Sequence, residues 1–293
     1  MNDWPAPRRA MLPDGRLHLQ DGPIDLVIGI EGLRPAVLQA REAAAAALTG
    51  LLPALALELP LLRMPLLGRM PGFRHPVARR MAEAAWPHRA TFITPMAAVA
   101  GAVAEHVLAA IAAVPGVQLA HVNNGGDIAL HLSPVSTLRV GLVEGPQAGV
   151  PDGLAVIRGR DEVRGIATSG WRGRSFSRGI ADAVTVLAAR APEADAAATI
   201  IANAVDADHP AISRAPAESL DPDSDLRDLA VTTHVGDLPR DVVTEALDHG
   251  EACAERLLAR GLVLGVCLRL KGQVRLLGAA DALAAMDRAA ALR

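Results

Sequence analysis

Tyrosine is absent from this 293-residue chain, phenylalanine and tryptophan number three each, and there are two cysteines. Aromatic stacking platforms for single-stranded nucleic acid or for flat cofactors are therefore scarce. Cys253 and Cys267 fall in different expected elements without zinc-ligand spacing, which points to core thiols in a reducing compartment and to no disulfide framework. A dominant charge sign is missing too. The net charge is −3, so the global balance draws the chain to neither nucleic acid nor an anionic membrane surface. The N-terminal stretch MNDWPAPRRAMLPDG has no apolar signal core, and a cytoplasmic protein is expected.

Long apolar runs are interrupted. The most apolar, GLLPALALELPLLRMPLL at 50–67, is broken by three prolines, Glu58 and Arg63, whereas a spanning helix needs about 20 uninterrupted apolar residues. This stretch is read as buried or interfacial, not transmembrane. Neither a GxSxG elbow nor a GxxxxGK[ST] phosphate loop occurs. His75, His88, His106, His121 and His131 form no HxH or HxxxH pair, which argues against a histidine-based zinc site.

What is present is enough apolar sequence, 51%, for a sizeable core. RLHLQDGPIDLVIGI reads as a hairpin turning at Asp21-Gly22. Helices are expected from Pro35, over HPVARRMAEAAW, and after an N-cap at Thr94 with Pro95 in the first turn. VQLAHV, DIALHLS, TLRVGLV, LAVIRG, VRGIATSG and AVTVLAA are short β-branched runs between turn residues, hence strands. A helix over PEADAAATIIANAV follows. Residues 206–230, with prolines, acidic residues and no periodicity, read as a solvated connection or a lid. A long helix, two strands turned at Lys271-Gly272 and a short closing helix complete the chain. Runs of adjacent strands alternating with helices predict an α+β fold of mostly antiparallel sheets flanked by helices, as one domain over 1–293.

Three motifs can carry chemistry. In HVNNGGDIALHL, Gly125 and Gly126 permit positive φ and leave bare amides for a phosphate, but glycine pairs more often serve as plain turns. In ADAAAT, Asp195 and Thr199 share a helix face, a carboxylate and hydroxyl suited to Mg²⁺, while helix-terminal charge and back-bonding explain the lone pattern more simply. ATSGWRGRSFSRG places Arg172, Arg174 and Arg178 among small polar residues, which fits a phosphate grip or a solvated loop.

Taken in order, MAAVAGAVAEHV, VNNGGDIAL, ATSG and AVTVLAARAPEADAAATIIANAV resemble the successive motifs of the ApbE-like superfamily, whose named activity is FAD:protein FMN transfer, and within it a smaller, largely uncharacterised cytoplasmic branch. The resemblance implies a T-fold-like α+β domain. It implies a Mg²⁺ site from Asp195, Thr199 and the backbone of Ala97, and an FAD cleft lined by Gly125, Gly126, Thr168, Ser169 and Gly170. Asp127 opens the strand beside that cleft, and Asn123 and Asn124 stand at its rim. The implied ligand is a small anionic nucleotide, and the implied reaction passes FMN to a Thr or Ser of an acceptor protein, or to water. Ala100 stands where the family pattern has lysine, and SFSRGIADAV has no counterpart of the family's HIIDP histidine. The alternative is an accessory protein that has re-used the cleft for another anionic metabolite in a cofactor or sulfur-assimilation pathway. A homo-oligomer is compatible with either.

Overall fold

The computed structural model describes residues 6–142, 153–278 and 283–285. In chain order its elements are β1 (Arg8–Met11), β2 (Leu17–Asp21), β3 (Ile24–Gly32), α1 (Arg34–Leu48), α2 (Leu51–Ala56), α3 (Leu59–Leu62), α4 (Pro76–Ala85), α5 (Val99–Ala112), β4 (Val117–Asn124) and β5 (Asp127–Leu132). There follow β6 (Thr137–Leu142), β7 (Gly153–Arg158), β8 (Gly165–Ser169), β9 (Ala183–Ala188), α6 (Ala191–Ala204), β10 (Ile212–Pro216), α7 (Ala217–Leu220), β11 (Ala230–Val235), α8 (Arg240–Ala259), β12 (Gly265–Leu270), β13 (Gln273–Gly278) and β14 (Leu283–Ala285). Every strand pair with a defined register is antiparallel, so the α+β class with antiparallel sheets flanked by helices is what the chain adopts.

The chain gathers into two compact units, each drawn from three separate stretches. The first takes Met1–Thr137, Arg158–Ala167 and Ala189–Ala196. Its sheet follows chain order from β1 to β5. The β2–β3 hairpin turns at Gly22, φ 56°, as the Asp-Gly pair predicts. Gly29 opposes His121 across β3 and β4, and a Cβ at Gly29 would lie 2.2 Å from the His121 Nε2, so the imidazole lies over the bare glycine and would have to swing aside for any larger residue. The hub of this unit is α5. Thr94 Oγ1 accepts the Met96 N–H at 3.2 Å, the chain makes one 3₁₀ turn over Pro95–Ala98, and α5 begins. Proline is tolerated there because the first amides of a helix have no intrahelical acceptor. Residues 95–112 are long and apolar enough to cross a membrane by length and composition. Here α5 packs on β4, β5, α1 and α4, burying Val103, Val107, Leu108 and Ile111, each worth about 1.5–3 kcal/mol of transfer free energy.

The second unit takes Leu138–Ile157, Thr168–Ala188 and Ala197–Arg293. Buried along their whole length, β9 and β12 pair with one another, β13 adds to the free side of β12, and α8 packs on β12 and β13. Cys253 and Cys267 are buried and are not joined in a disulfide. The 206–230 stretch, expected as a connection or lid, instead builds β10, α7 and the start of β11, with Ile212 opposite Val235 and Pro216 opposite Ala230. Proline is compatible with this because Pro216 closes its strand and caps α7, and no ladder bond is lost mid-strand. The expected closing helix lies mostly outside the described residues, but Leu283–Ala285 is a strand, paired with β7.

Candidate functional site

The glycine pair is a tight hairpin turn. Asn124 and Asp127 face each other as the last pair of β4 and β5, leaving Gly125 and Gly126 as a two-residue loop with φ 66° and 117°. Two positive φ values make glycine the natural occupant. The Gly126 N–H donates to Asn123 Oδ1 at 2.8 Å, and nothing lies within 4 Å of where a Gly126 Cβ would be, so the turn is both braced and open above its backbone. Asn124, expected at the rim, is buried: its Nδ2 donates to the Ala100 carbonyl at 3.2 Å and its Oδ1 accepts the Asp25 N–H at 3.4 Å. That side chain ties the turn to the start of α5.

Asp195 meets the same place from α6. Its Oδ2 accepts the Gly101 N–H at 2.9 Å, and the Ala100 N–H also bonds its carboxylate. These are orphan amides of the first turn of α5, whose own N-cap residue, Ala98, offers no side-chain acceptor. Asp195 therefore caps α5 from 94 residues away. The Gly101 amide, which in a regular helix would bond the carbonyl of Ala97, is turned to Asp195 instead. Two amides and a helix N-terminus lower a carboxylate pKa. Burial and the negative charge of Asp127 act the other way and win, holding Asp195 well above the ordinary carboxylate range. No cationic side chain of the described residues is among the main influences on it. Part of its surface still reaches solvent.

The close approach of α5 and α6 depends on Gly101. A Cβ there would sit 2.4 Å from the Ala191 carbonyl oxygen and 2.8 Å from Pro192 N, both backbone atoms, which yield only if the start of α6 shifts. Gly101→Val should cost about 1–3 kcal/mol in urea unfolding and push the start of α6 away from α5. An unchanged midpoint would show that the packing is looser than described.

The other expected residues are placed as follows. Thr199 stands one helical turn beyond Asp195 on α6, where the chain has passed into the second unit. Thr168, Ser169 and Gly170 also belong to the second unit, where the Thr168 and Thr185 hydroxyls are 2.9 Å apart and a Gly170 Cβ would lie 2.6 Å from the Asp182 carbonyl oxygen. Asp182, to which the sequence assigns no role, is a buried hub. It accepts from Arg172 Nε at 2.6 Å, the Lys271 N–H at 2.6 Å and Trp171 Nε1 at 3.2 Å. Arg172, weighed as a phosphate grip or a solvated residue, instead spends its Nε on this carboxylate and lays its guanidinium over the Trp171 ring, 5.0 Å from the centroid.

The donors around Asp195 and Asp127 suit a hard cation. Carboxylate and carbonyl oxygens are Mg²⁺ ligands, and two opposed carboxylates gain from a shared positive charge. Among the described residues no group of three or more His, Cys, Asp or Glu side chains is gathered for a metal, so an all-side-chain cage is not what these residues build. A Mg²⁺ site completed by ligand phosphate oxygens needs only one or two carboxylates, and the residues here fit it.

The family described as "AbpE bacteria" matches residues 9–276. The chain belongs to this family. Relatives include a UPF0280 protein of Methanopyrus kandleri, 42% identical over 159 residues that cover 53% of this chain and 61% of that protein. Another, from Methanospirillum hungatei, is 39% identical over 128 residues, covering 43% of this chain and 50% of its own. The chain thus spans about half to three-fifths of the length of these relatives. The solved apo structure of the flavinyl transferase ApbE of Pseudomonas stutzeri aligns over 94% of both chains at 14% identity with a TM-score of 0.37, a level at which no detail of its site transfers.

Proposed function

We propose that this protein binds a phosphate-bearing flavin nucleotide, FAD or a close relative, through a Mg²⁺ ion held by the Asp127–Asp195 pair and the Ala97 carbonyl. The observation that carries the reading is the convergence of the Gly125-Gly126 turn, Asp127 and a crowded Asp195 at the start of α5, with no cation of the described residues among the main influences on Asp195. The flavin comes from the resemblance of the motif order to the ApbE-like superfamily, and membership of the matched family supports that reading. Bound there, the metal would neutralise phosphate oxygens and polarise the phosphoanhydride. The chain's own contribution is positional. Gly101 and Ala100 orient the Asp195 carboxylate, Asn124 fixes the turn against α5, and Gly125 and Gly126 let phosphate approach bare backbone. In the reaction this implies, the hydroxyl oxygen of a Thr or Ser of an acceptor protein, or of water, bonds to the FMN phosphorus as the FAD phosphoanhydride breaks, with AMP leaving and the hydroxyl proton passing to solvent.

A second reading is favoured by position 100. Ala100 donates its amide to Asp195, so the family's lysine at this position would bring an ammonium group to the carboxylate pair, and alanine supplies none. With no tyrosine to stack on an isoalloxazine, the site also suits a binding protein for another anionic metabolite. Flavin-fluorescence titration separates the two. FAD should bind the parent with Mg²⁺ and lose most of its affinity with EDTA or in Asp195→Ala. Absence of FAD binding at high micromolar ligand, with a non-flavin metabolite retained in native mass spectra, would move the assignment to the second reading.

A further inference from the structure

We infer that residues 57–79 form a surface that docks on an anionic lipid bilayer. The apolar 50–67 stretch divides its side chains between two environments. Leu51, Leu55, Leu62 and Leu66 are buried, whereas Leu57 is 85% exposed, Leu67 72%, Met64 48% and Leu61 38%. The segment is anchored at both ends of this exposed set. Glu58, itself buried, accepts the Arg74 and His75 N–H groups at 2.7 Å each, and the Leu66 N–H donates to the Ile93 carbonyl at 2.9 Å. The leucines therefore project from a fixed scaffold, and docking requires no prior folding.

Charge selects the occupant. Glu58 is the one carboxylate between residues 57 and 79, and it is turned inward onto backbone amides. Outward-facing charges in this stretch are Arg69, Arg74 and Arg79, with Arg63 half-buried, in a chain whose net charge is −3. The Glu58 bond ties the Arg74 backbone to the residue next in the chain to Leu57, so an exposed arginine and an exposed leucine flank the same anchor. A second copy of the same face would oppose arginine to arginine. A partner helix needs a groove or a continuous stripe, and Pro60, Pro65 and Pro71 break the stripe while the leucines protrude. Projecting apolar side chains flanked by arginines match the boundary between acyl chains and anionic headgroups. The same stretch is too short and too interrupted to span.

Co-sedimentation of the full chain with phosphatidylcholine vesicles, with and without phosphatidylglycerol, tests this. Binding is expected to the phosphatidylglycerol-containing vesicles, to weaken with salt, and to fall about fivefold for each of Arg69→Gln and Arg74→Gln. Leu57→Asp with Leu67→Asp should abolish it without moving the melting temperature, because both side chains are exposed. No binding to anionic vesicles at low salt would overturn the inference. So would binding indifferent to the leucine changes, the mark of a surface for an acidic protein, or light scattering that shows those changes turning a dimer into a monomer.

Discussion

Asp195→Asn should make the metal-free protein more stable and, at the same time, unable to gain stability from Mg²⁺. The native carboxylate is held above its ordinary pKa, so the folded chain binds a proton more readily than the unfolded one. Stability tied to this group is therefore fully present below the ordinary carboxylate value and is lost as pH rises through the raised native value. Each unit between the two amounts to about 1.4 kcal/mol at neutral pH. Asparagine keeps an oxygen to accept the Gly101 N–H and offers its amide toward Asp127, removing the repulsion while retaining the cap on α5. A melting temperature at least about 2 °C above the parent is expected at pH 8 in EDTA, with the gap closing toward pH 4. Added Mg²⁺ should raise the parent in proportion to the logarithm of its concentration above Kd and leave the variant where it was. Thermal melts over a pH series with and without Mg²⁺ check all three. A less stable variant in EDTA would mean that Asp195 serves α5 only as a cap, with its charge compensated.

Asp182→Ala should be the most damaging single change in the second unit. Removing one partner of a buried, hydrogen-bonded ion pair costs about 3–5 kcal/mol, against about 5–15 kcal/mol for a whole domain. Arg172 is 47% exposed and can re-enter water, which moderates the figure. The Lys271 N–H and Trp171 Nε1 lose their acceptor as well, so about 2–4 kcal/mol is expected. Asp182→Asn keeps the volume and one acceptor and should cost about half as much. Urea unfolding gives the magnitude, and Trp171 emission reports the loosened turn. A loss under about 0.5 kcal/mol, the level of an ordinary surface change, would show that the three bonds are dispensable.

Motif order in the chain located Gly125, Gly126, Asp127 and Asp195, because glycines at a two-residue turn and an acid at a helix start are chosen by local backbone rules that one sequence displays. Their partnerships are not local. That Asp195 caps α5 requires knowing that Gly101 comes against the start of α6, and that Asp182 is a hub requires bringing Lys271 to it from 89 residues away. Nothing in the residues around Asp182 says that its carboxylate is buried. β10 and β11 were hidden by a different cause: prolines at the strand's edge and acidic neighbours erased the period-2 signal that a buried strand would show. β1, exposed along its whole length, has no apolar alternation to read.

A divalent cation at Asp195 is the central requirement of the proposed function. Titration with Mn²⁺, followed by the electron paramagnetic resonance signal of the free ion, measures this directly in the presence of FAD. One Mn²⁺ per chain, displaced by excess Mg²⁺ and lost in Asp195→Ala, is the predicted result. Mn²⁺ that stays free in the parent, or that binds Asp195→Ala as well as it binds the parent, would contradict it.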